Sequence, residues 1–490
     1  MTHAEKTPQD DDVPAKDLGD LESTPQLYTD SAEFHERERK VVRKLDIFIA
    51  PLMGAFNFIS YICRSNIGFA ATQGMGKDLN LVGSDLNAAV SVFYVLYLLS
   101  ELPISMVAKR WKFERVLPTL TICFGAITLG GGFVQSYGAL AATRLLLGLF
   151  EGCMFPCVAL FVANWYKREE MAVRMAFLFA STAIAGAFGG LLAYAIYNMD
   201  GVANIAGWRW IYIIEGIITI VFGLACYYLV PSSFENAYFF NNEDKEIMRY
   251  RAELTHQYSG GSGHFKMRDI WIAVKDPKTW CHGWIQFCVI TPLYAFSQFL
   301  PIIIEDGLGF NTLQAQYLTI PVQLWGAIIY MFIAWLSDKY RKRFLFMAIF
   351  TPICALGYLL QLCPIPAGAQ YFATFLITGG VYIISGNNLA WASSNAAPDG
   401  KRGATVGIVL TLTDLAGVIV GQIYPAKDAP RYTLGNAWTF SVVMVGLILF
   451  CVVTRIYKSR NAAKERRAAA GEVVPPEEWD DRAPDFVYQT

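Results

Sequence analysis

Long apolar stretches run through this sequence and decide what it can fold into. About 20 apolar residues cross the hydrocarbon core of a bilayer once. We count twelve stretches of that length, in the windows 45–70, 86–108, 116–136, 140–164, 173–197, 209–230, 280–304, 313–337, 344–363, 370–393, 404–424 and 437–457. Charged residues make up 17% of the chain and crowd its ends and a few short loops, whereas soluble proteins carry about a quarter. The sequence therefore predicts an all-α membrane protein with twelve transmembrane helices, and it excludes a soluble enzyme.

Basic residues in the loops predict the orientation of the chain. The loops after spans 2, 4, 8 and 10 hold thirteen Lys and Arg residues, whereas the alternate loops hold four. The positive-inside rule places the first set in the cytoplasm, and both termini then lie there too, in agreement with an even number of spans. Residues 1–44 lack the apolar core of a signal peptide, so we expect an acidic cytoplasmic tail. The formal net charge of −1 leaves no basic footprint for nucleic acid.

A long polar loop over 231–279 divides the chain into two halves of six spans, 45–230 and 280–457. Within this loop, residues 267–275 are expected to form a short interfacial helix. Each half carries a basic turn after its second span, and parallel six-helix repeats are a common architecture of secondary transporters. The charged, Ala- and Pro-rich tail over 458–490 is expected to be disordered and cytoplasmic.

Ionisable side chains inside apolar windows are costly and therefore indicate function. Arg64 lies in span 1, Arg144 and Glu151 in span 4, Glu215 in span 6 and Asp414 in span 11. One interpretation is that Arg64 and Arg144 bind a small anion, because a guanidinium forks onto a carboxylate. Glu151 would then carry a proton, since burial favours the neutral carboxyl form and a neighbouring arginine favours the ionised form. The alternative is a structural polar network, with Glu215 anchoring a helix end and Asp414 in a helper role.

Uncharged polar residues also occur in the second half. Gln298 lies in span 7 and Gln323 in span 8, while Asn387, Trp391 and Asn395 form one stripe of span 10 at a spacing of four residues. These side chains either contact a small polar ligand or form hydrogen bonds between helices. The sequence contains no P-loop, HExxH or GxSxG motif, and its ten cysteines include no CxxC pair. We therefore expect no cofactor, metal site or disulfide framework.

Several motifs resemble those of a known family. The loop from Asp338 to Arg343 and the pattern Arg144-x3-Gly148-x2-Glu151-Gly152 are similar to signatures of the major facilitator superfamily. Four further segments resemble, more specifically, the fungal allantoate permease branch of its anion:cation symporters. They are Arg64-Ser-Asn-Ile-Gly68, the segment Gly207–Gly216, Asp276-Pro-Lys-Thr-Trp280 and the segment Tyr424–Tyr432. That branch includes nicotinate, pantothenate, biotin and allantoate permeases.

This resemblance implies a twelve-helix symporter that takes up a small organic monocarboxylate with protons by alternating access. It implies that Arg64 and Arg144 contact the substrate and that Glu151 is the protonatable carboxylate. We add Gln298, Asn387, Trp391 and Asn395 as substrate contacts and Asp414 as a second candidate for proton coupling. A group at the cytoplasmic side would act as a gate, namely Asp338, Lys339, Arg341 and Arg343. We expect a monomer in the plasma membrane.

Two positions depart from the family pattern. Many relatives carry an acid just before the span 1 arginine, where this chain has Cys63, and Lys109 replaces an aspartate of the first basic loop. With Glu151 as the sole carrier, a monoanion moves with one proton and no net charge, unless Asp414 supplies a second proton site. Other hypotheses are an exporter of an organic anion and a nutrient sensor. An intramembrane enzyme is disfavoured because the five histidines lie in tails, the long loop or at a membrane edge.

Overall fold

The computed structural model describes residues 32–167, 170–258, 267–340, 342–470, 481–484 and 486–489, and these residues form helices and turns without any β-strand. Long helices follow one another in the predicted order through this part of the chain. Their bounds are α1 Ala32–Thr72, α2 Asp85–Trp111, α3 Phe113–Gly131, α4 Tyr137–Glu151 with a continuation Met154–Ala163, α5 Met171–Ile196, α6 Gly207–Leu229, α7 Pro277–Ile302, α8 Thr312–Tyr340, α9 Arg343–Leu362, α10 Ala367–Ser394, α11 Asp399–Ile423 and α12 Thr433–Ala469.

The predicted number of spans is confirmed for the described residues. Eleven helices there are long and apolar enough to cross a membrane, and α2, with 27 residues, contains the remaining predicted span over 86–108. The predicted helix in the central loop is also present, as Met267–Lys275. Because the number of long helices is even, α1 begins and α12 ends at the same end of the bundle. We call this the terminal end and the opposite one the distal end.

The two six-helix halves contact each other through polar side chains and a glycine towards the distal end. Asn87 of α2 donates hydrogen bonds to the backbone oxygens of Gly421 and Tyr424, at 2.6 and 2.7 Å. Gln316 of α8 donates to Thr72 of α1 at 2.8 Å. A Cβ atom added to Gly421 would lie 2.9 Å from the backbone nitrogen of Ser91, a distance that real Cβ contacts do not reach. Glycine therefore allows α2 and α11 to pack closely, and the distal ends of the halves are closed against each other.

Ion pairs hold the terminal end of the first half together. Arg251, in the loop helix Asn242–Tyr258, is almost fully buried and donates to Glu38 at 2.8 Å and to Glu170 at 2.6 Å. Burial works to raise the pKa of Glu38, but Lys167 and Arg251 outweigh it and hold that pKa below its usual value. This carboxylate therefore stays ionised at neutral pH and ties the start of α1 to the loops that follow α4 and α6.

At the terminal end the halves meet through apolar side chains. The partly buried Phe179 of α5 packs against a cluster of buried apolar residues on α10 and α11, namely Leu389, Ala392 and Val409, against which Val406 and Leu410 of α11 also pack. The contact involves the hairpin formed by α10 and α11, which brings these two helices against the first half.

The expectation of a disordered tail after residue 457 is wrong for the described residues. The last helix continues to Ala469, and residues 481–484 and 486–489 pack against the second half. Asp481 is fully buried between Lys278 and Lys401. Composition alone suggested disorder because the tail is charged, but the charge of Asp481 is complemented by lysines distant in sequence.

Replacement of Gly421 by alanine tests the close packing of the halves. We expect Gly421→Ala to lower the unfolding temperature of the purified protein by several degrees, because overpacking costs about 1–3 kcal/mol. Gly407→Ala on the same helix is the matched control, since no atom lies within 4 Å of its added Cβ. Thermal unfolding in detergent measures both, and equal unfolding temperatures would contradict the packing described here.

Candidate functional site

Helix α4 breaks at the centre of the first half, directly after an acidic residue. The break falls at Gly152 and Cys153, between the segments Tyr137–Glu151 and Met154–Ala163. Pro156 has no backbone N–H with which to bond the carbonyl of Gly152, four residues earlier, so the helix cannot continue regularly there. Glu151 is fully buried. The break thus places a carboxylate beside unsatisfied backbone at membrane depth, which is tolerated only inside the protein.

Glu151 forms a buried ion pair with Arg64 of α1. Its Oε1 atom accepts from Arg64 Nε and Nη2, both at 2.8 Å, and from the hydroxyl of Ser60 at 2.9 Å. Its Oε2 atom has no hydrogen-bond partner among the described residues. An ionised carboxylate accepts hydrogen bonds through both oxygens, so the Oε2 atom of Glu151 still has the capacity to accept one. The sequence-predicted residues Arg64 and Glu151 are thus brought together.

Aromatic side chains surround the Arg64 guanidinium. The Arg64 Cζ atom lies 4.7 Å from the ring centroid of Tyr97 and 5.5 Å from that of Phe93, and Arg64 Nη2 donates to the Tyr97 hydroxyl at 3.1 Å. Tyr94, on the same helix, packs against Tyr294 of α7 with centroids 5.1 Å apart. Rings from both halves therefore border a cationic group, an arrangement suited to a flat anion.

Arg144 belongs to a separate polar group and does not converge with Arg64 on one point. Its Nη2 atom donates to Asn66 Oδ1 at 2.6 Å and to the Tyr212 hydroxyl at 2.5 Å, and its Nη1 atom donates to the backbone oxygen of Arg64 at 3.4 Å. Asn66 in turn donates to Glu215 Oε2 at 2.9 Å. This group joins α1, α4 and α6, and it places Glu215 in a buried network rather than at a helix end.

Asp414 of α11 lies at the contact between the halves. Its Oδ1 atom accepts from the Tyr294 hydroxyl at 3.4 Å, and its carboxyl group shares a side-chain hydrogen bond with that of Glu101 on α2. Both acids are buried. Asp414 also interacts electrostatically with Arg64 and Tyr97, so the carboxyl pair belongs to the same central region as the Arg64–Glu151 pair.

The polar residues predicted in the second half do not form one group in the structure. Gln298 lies near Tyr94 and its Oε1 atom has no hydrogen-bond partner among the described residues, whereas Gln323 accepts from the Tyr382 hydroxyl at 3.0 Å. Asn387 accepts from Ser337 at 3.0 Å and donates to its own helix. The structure therefore brings Gln298 to the centre, while Asn387 joins α8 to α10.

The other two residues of the span 10 stripe contact the end of the chain. Trp391 Nε1 donates to the backbone oxygen of Gln489 at 2.8 Å, and Asn395 both donates to that oxygen and accepts from the Gln489 nitrogen, at 3.1 and 2.8 Å. Their polar atoms are thus bonded to the C-terminal segment in this structure, and they are not grouped with Arg64.

The predicted gate is described only in part. Lys339 is exposed, with its Nζ atom 5.1 Å from the ring centroid of Trp335, and Arg343 is the first residue of α9. Arg341 and the side chain of Asp338 lie outside the described residues. The backbone nevertheless places this turn at the terminal end, between α8 and α9.

Sequence reasoning missed several members of the central groups. Ser60, Asn66, Tyr97 and Glu101 are polar or amphipathic residues that a hydropathy count accepts inside a span. The signals were present: Ser60 lies four residues before Arg64 on one helical face, and Glu101 is an acid inside a predicted span. The partners of these residues depend on helix rotation, which the sequence does not specify.

Comparisons with known proteins agree with the helical architecture. The family profile described as Major Facilitator Superfamily matches residues 53–421. An uncharacterized transporter of Schizosaccharomyces pombe is 42% identical over 92% of this chain and 90% of its own length, and the high-affinity nicotinic acid transporter of Saccharomyces cerevisiae is 33% identical over 93% and 85%. Among solved structures, an inward-facing bacterial homologue of the human lysosomal transporter Spinster has a TM-score of 0.65 at 14% identity, with 83% of this chain and 96% of that chain covered. The last likeness concerns the fold alone.

A double-mutant cycle tests which acid complements Arg144. We expect Arg144→Gln and Glu215→Gln each to lower the unfolding temperature, and the double variant to lose less than the sum, because coupled buried groups interact by about 0.5–3 kcal/mol. The matched cycle of Arg144→Gln with Glu151→Gln should show the smaller coupling, since Glu151 pairs with Arg64. Thermal unfolding of the six proteins measures both cycles, and a larger coupling to Glu151 would contradict the two-group description.

Proposed function

The chain belongs to the Major Facilitator Superfamily, and from this premise we propose that it takes up a small organic monocarboxylate together with protons. Its family and its relatives show a membrane transporter and not an enzyme. A relative of one third identity is named for nicotinic acid, a flat aromatic carboxylate. The combination of a guanidinium with bordering aromatic rings in this chain supports a substrate of that chemical class.

The observation that carries this proposal is the buried ion pair between Arg64 and Glu151. Their side chains meet at 2.8 Å and are almost fully removed from solvent. A buried pair loses much of its stability when one partner is removed, because an uncompensated charge remains. Separation of Arg64 from Glu151 therefore requires a replacement for each side chain's partner. Arg64 must gain another anion, and Glu151 must gain a proton.

This requirement couples the substrate to a proton. A carboxylate substrate competes with Glu151 for the fork of Arg64, which offers two parallel donors. Once Arg64 binds the substrate, Glu151 has lost its cation within a region of low dielectric and takes up a proton. The site then holds the anion and the proton together with no net change in charge, the state in which the two halves rock. Release at the other face restores the ion pair.

Arg144 has a different role in this proposal from the one its sequence position suggested. It bonds the backbone of α1 at residue 64 and the side chain of Asn66, which positions the segment that carries Arg64. We therefore assign Arg64 to the substrate carboxylate and Arg144 to the positioning of α1. Gln298, whose carbonyl oxygen has no partner among the described residues, is assigned to a polar group elsewhere on the substrate.

A second proton site is supported at the contact between the halves. Two carboxyl groups in direct contact cannot both ionise without strong repulsion, so a pair of this kind shares a proton. The pair formed by Glu101 and Asp414 joins α2 of one half to α11 of the other, and Asp414 forms no ion pair among the described residues. When the halves rock, the acids separate, and the shared proton must be held or released by one of them.

Two protons per monoanion make uptake electrogenic. The membrane potential then contributes about 2.3 kcal/mol per 100 mV for the one net charge, and each proton contributes about 1.36 kcal/mol per unit of pH gradient. With Glu151 alone, only the pH gradient would drive uptake. The positive-inside pattern supports cytoplasmic termini and hence substrate release at the terminal end, and we propose the plasma membrane as the site of uptake.

Uptake of labelled carboxylates in a permease-deficient yeast tests the proposed function. We expect saturable, acid-stimulated uptake of nicotinate or another small monocarboxylate. Arg64→Ala should lower uptake at low substrate concentration by about tenfold to hundredfold, the value of a hydrogen bond to a charged group. Glu151→Gln should weaken the acid stimulation to the part that the Glu101–Asp414 pair supplies, while exchange of labelled for unlabelled substrate persists.

The control for both variants is Glu235→Gln, which removes a half-exposed partner of Arg249 in the central loop and should leave uptake unchanged. Undiminished uptake and acid stimulation in both Arg64→Ala and Glu151→Gln would remove these residues from the mechanism. Extrusion from preloaded cells without uptake would show an exporter, and binding without transport would show a sensor.

Charge movement tests the second proton site. In voltage-clamped cells we expect the substrate to evoke an inward current with about one charge per molecule of labelled substrate taken up. Asp414→Asn and Glu101→Gln should each remove the current while acid-stimulated uptake continues through Glu151. Uptake without a current in the native protein would contradict the carboxyl pair as a coupling site and leave Glu151 as the single carrier.

A further inference from the structure

The C-terminal segment, residues 481–484 and 486–489, binds a surface on the second half. This surface is made by the terminal ends of four helices, α7, α10, α11 and α12, which contribute Lys278, Asn395, Lys401 and Asn461. The segment is separated from α12 by residues outside the described part of the chain. It lies at the terminal end, far from the central site, and takes no part in the proposed transport mechanism.

Charge complementarity is the core of this contact. The Asp481 carboxylate accepts from Lys278 Nζ and, at 2.7 Å, from Lys401 Nζ, and Lys401 also donates to Asp276 at 2.7 Å. All four side chains are almost fully buried, and two positive charges balance two negative ones. Burial works to raise the pKa of Asp276, but Lys278 and Lys401 outweigh it, so that this pKa lies below its usual value.

That shift has a simple consequence for pH dependence. A carboxylate whose pKa is lower in the folded protein contributes stability above its ordinary pKa and loses it only as the pH falls through the lowered value. Asp276 therefore remains ionised throughout the physiological range and keeps its contacts with both lysines.

Backbone and aromatic contacts add sequence specificity. Lys464 Nζ donates to the backbone oxygens of Asp481 and Phe486, at 2.5 and 2.6 Å. Asn461 both donates to and accepts from the backbone of Tyr488, at 2.9 and 3.0 Å. The Tyr488 ring stacks on Tyr457 with centroids 4.9 Å apart and planes 13° from parallel. The surface thus recognises an acidic residue, an aromatic residue and the backbone between them.

The segment contacts the hairpin of α10 and α11, the two helices that meet the first half at the terminal end. Trp391 and Asn395, which it bonds, end α10, and Lys401, which it neutralises, begins α11. The same hairpin carries the buried apolar cluster of Leu389, Ala392 and Val409, against which Phe179 of the first half and Leu410 of α11 pack. Without Asp481, Lys278 and Lys401 would share a single acid and repel each other, and the start of α11 would be pushed from its position.

We propose that the C-terminal segment is a detachable clasp that holds the hairpin of α10 and α11 against the first half, and that its release favours opening of the terminal end. The docked clasp and the closed apolar contact occur together in this structure. The clasp binds one half only, so it acts by fixing the shape of the hairpin and not by tying the halves to each other.

Cysteine labelling tests this proposal on the full chain. The ten native cysteines are replaced by serine or alanine, a single Leu410→Cys is introduced, and the rate of maleimide labelling is measured on purified protein in lipid nanodiscs. We expect Asp481→Asn combined with Tyr488→Ala to raise this rate by about threefold or more, as a shift of population towards the open state requires. Val487→Ala is the matched control, because Val487 lies in the same segment and is 72% exposed.

A second variant guards against a fold defect. Lys464→Met keeps the charge cluster of Asp481 intact and removes two bonds to the backbone of the segment, and it should raise the labelling rate in the same direction. Unchanged labelling in both variants overturns the proposal, even where their unfolding temperature falls, because a purely structural tail would lower stability without exposing Leu410. The measurement needs no substrate, so its outcome is independent of the proposed function, which the uptake assay tests.

Discussion

The cost of charge inside a membrane governs this structure. An arginine at membrane depth is stable only if something complements it, and Arg64 is complemented by Glu151 on a different helix, at 2.8 Å. The pair constrains α1 and α4 to one relative rotation. It also makes the site responsive, because an anion is the one kind of ligand that can take the place of Glu151 without leaving the guanidinium uncompensated. In the proposed mechanism, the stability of the resting state and selectivity for anions therefore have the same physical origin.

Close packing of the halves gives the site its sidedness. Glycines on α11 and the amide of Asn87 bring α2 and α11 into contact towards the distal end, while apolar side chains around Phe179 close the terminal end. Hydrogen bonds to backbone oxygens require one geometry, whereas an apolar contact of partly buried side chains separates without leaving polar groups unsatisfied. The distal contact is thus the more specific of the two, and the terminal contact is the one that a device such as the C-terminal segment can shift.

Local properties of the sequence were sufficient for much of this description. Apolar length predicts the helices, and the insertion cost of Arg64 and Glu151 identifies them as functional candidates without any structure. The partner of each charged side chain could not be predicted from such local properties. It depends on how two helices are rotated about their axes, and Arg64 and Glu151 are 87 residues apart in sequence. Arg144 shows the limit: its spacing from Glu151 suggested a shared ligand, but it faces Asn66 and Tyr212 instead. Trp391 and Asn395 form a stripe that suits a ligand, and the ligand they bind here is the end of their own chain.

The buried charges form groups that differ in how they are balanced, and this difference assigns their roles. Lys278, Lys401, Asp276 and Asp481 balance two positive charges against two negative ones in direct contact, so this cluster holds the C-terminal segment without any change of protonation. Arg144 and Glu215 are joined through the amide of Asn66. Their opposite charges balance each other, although the two side chains are linked through this amide and not by a direct ion pair. The Arg64–Glu151 pair is balanced with one carboxylate oxygen left over, and the carboxyl groups of Glu101 and Asp414 face each other. A proton-coupled transport cycle must change the charge of some buried group. This change costs least at a group whose charge balance already depends on a proton. By this argument we propose that the coupling sites are the two central groups and that the clasp at the terminal end regulates access to them.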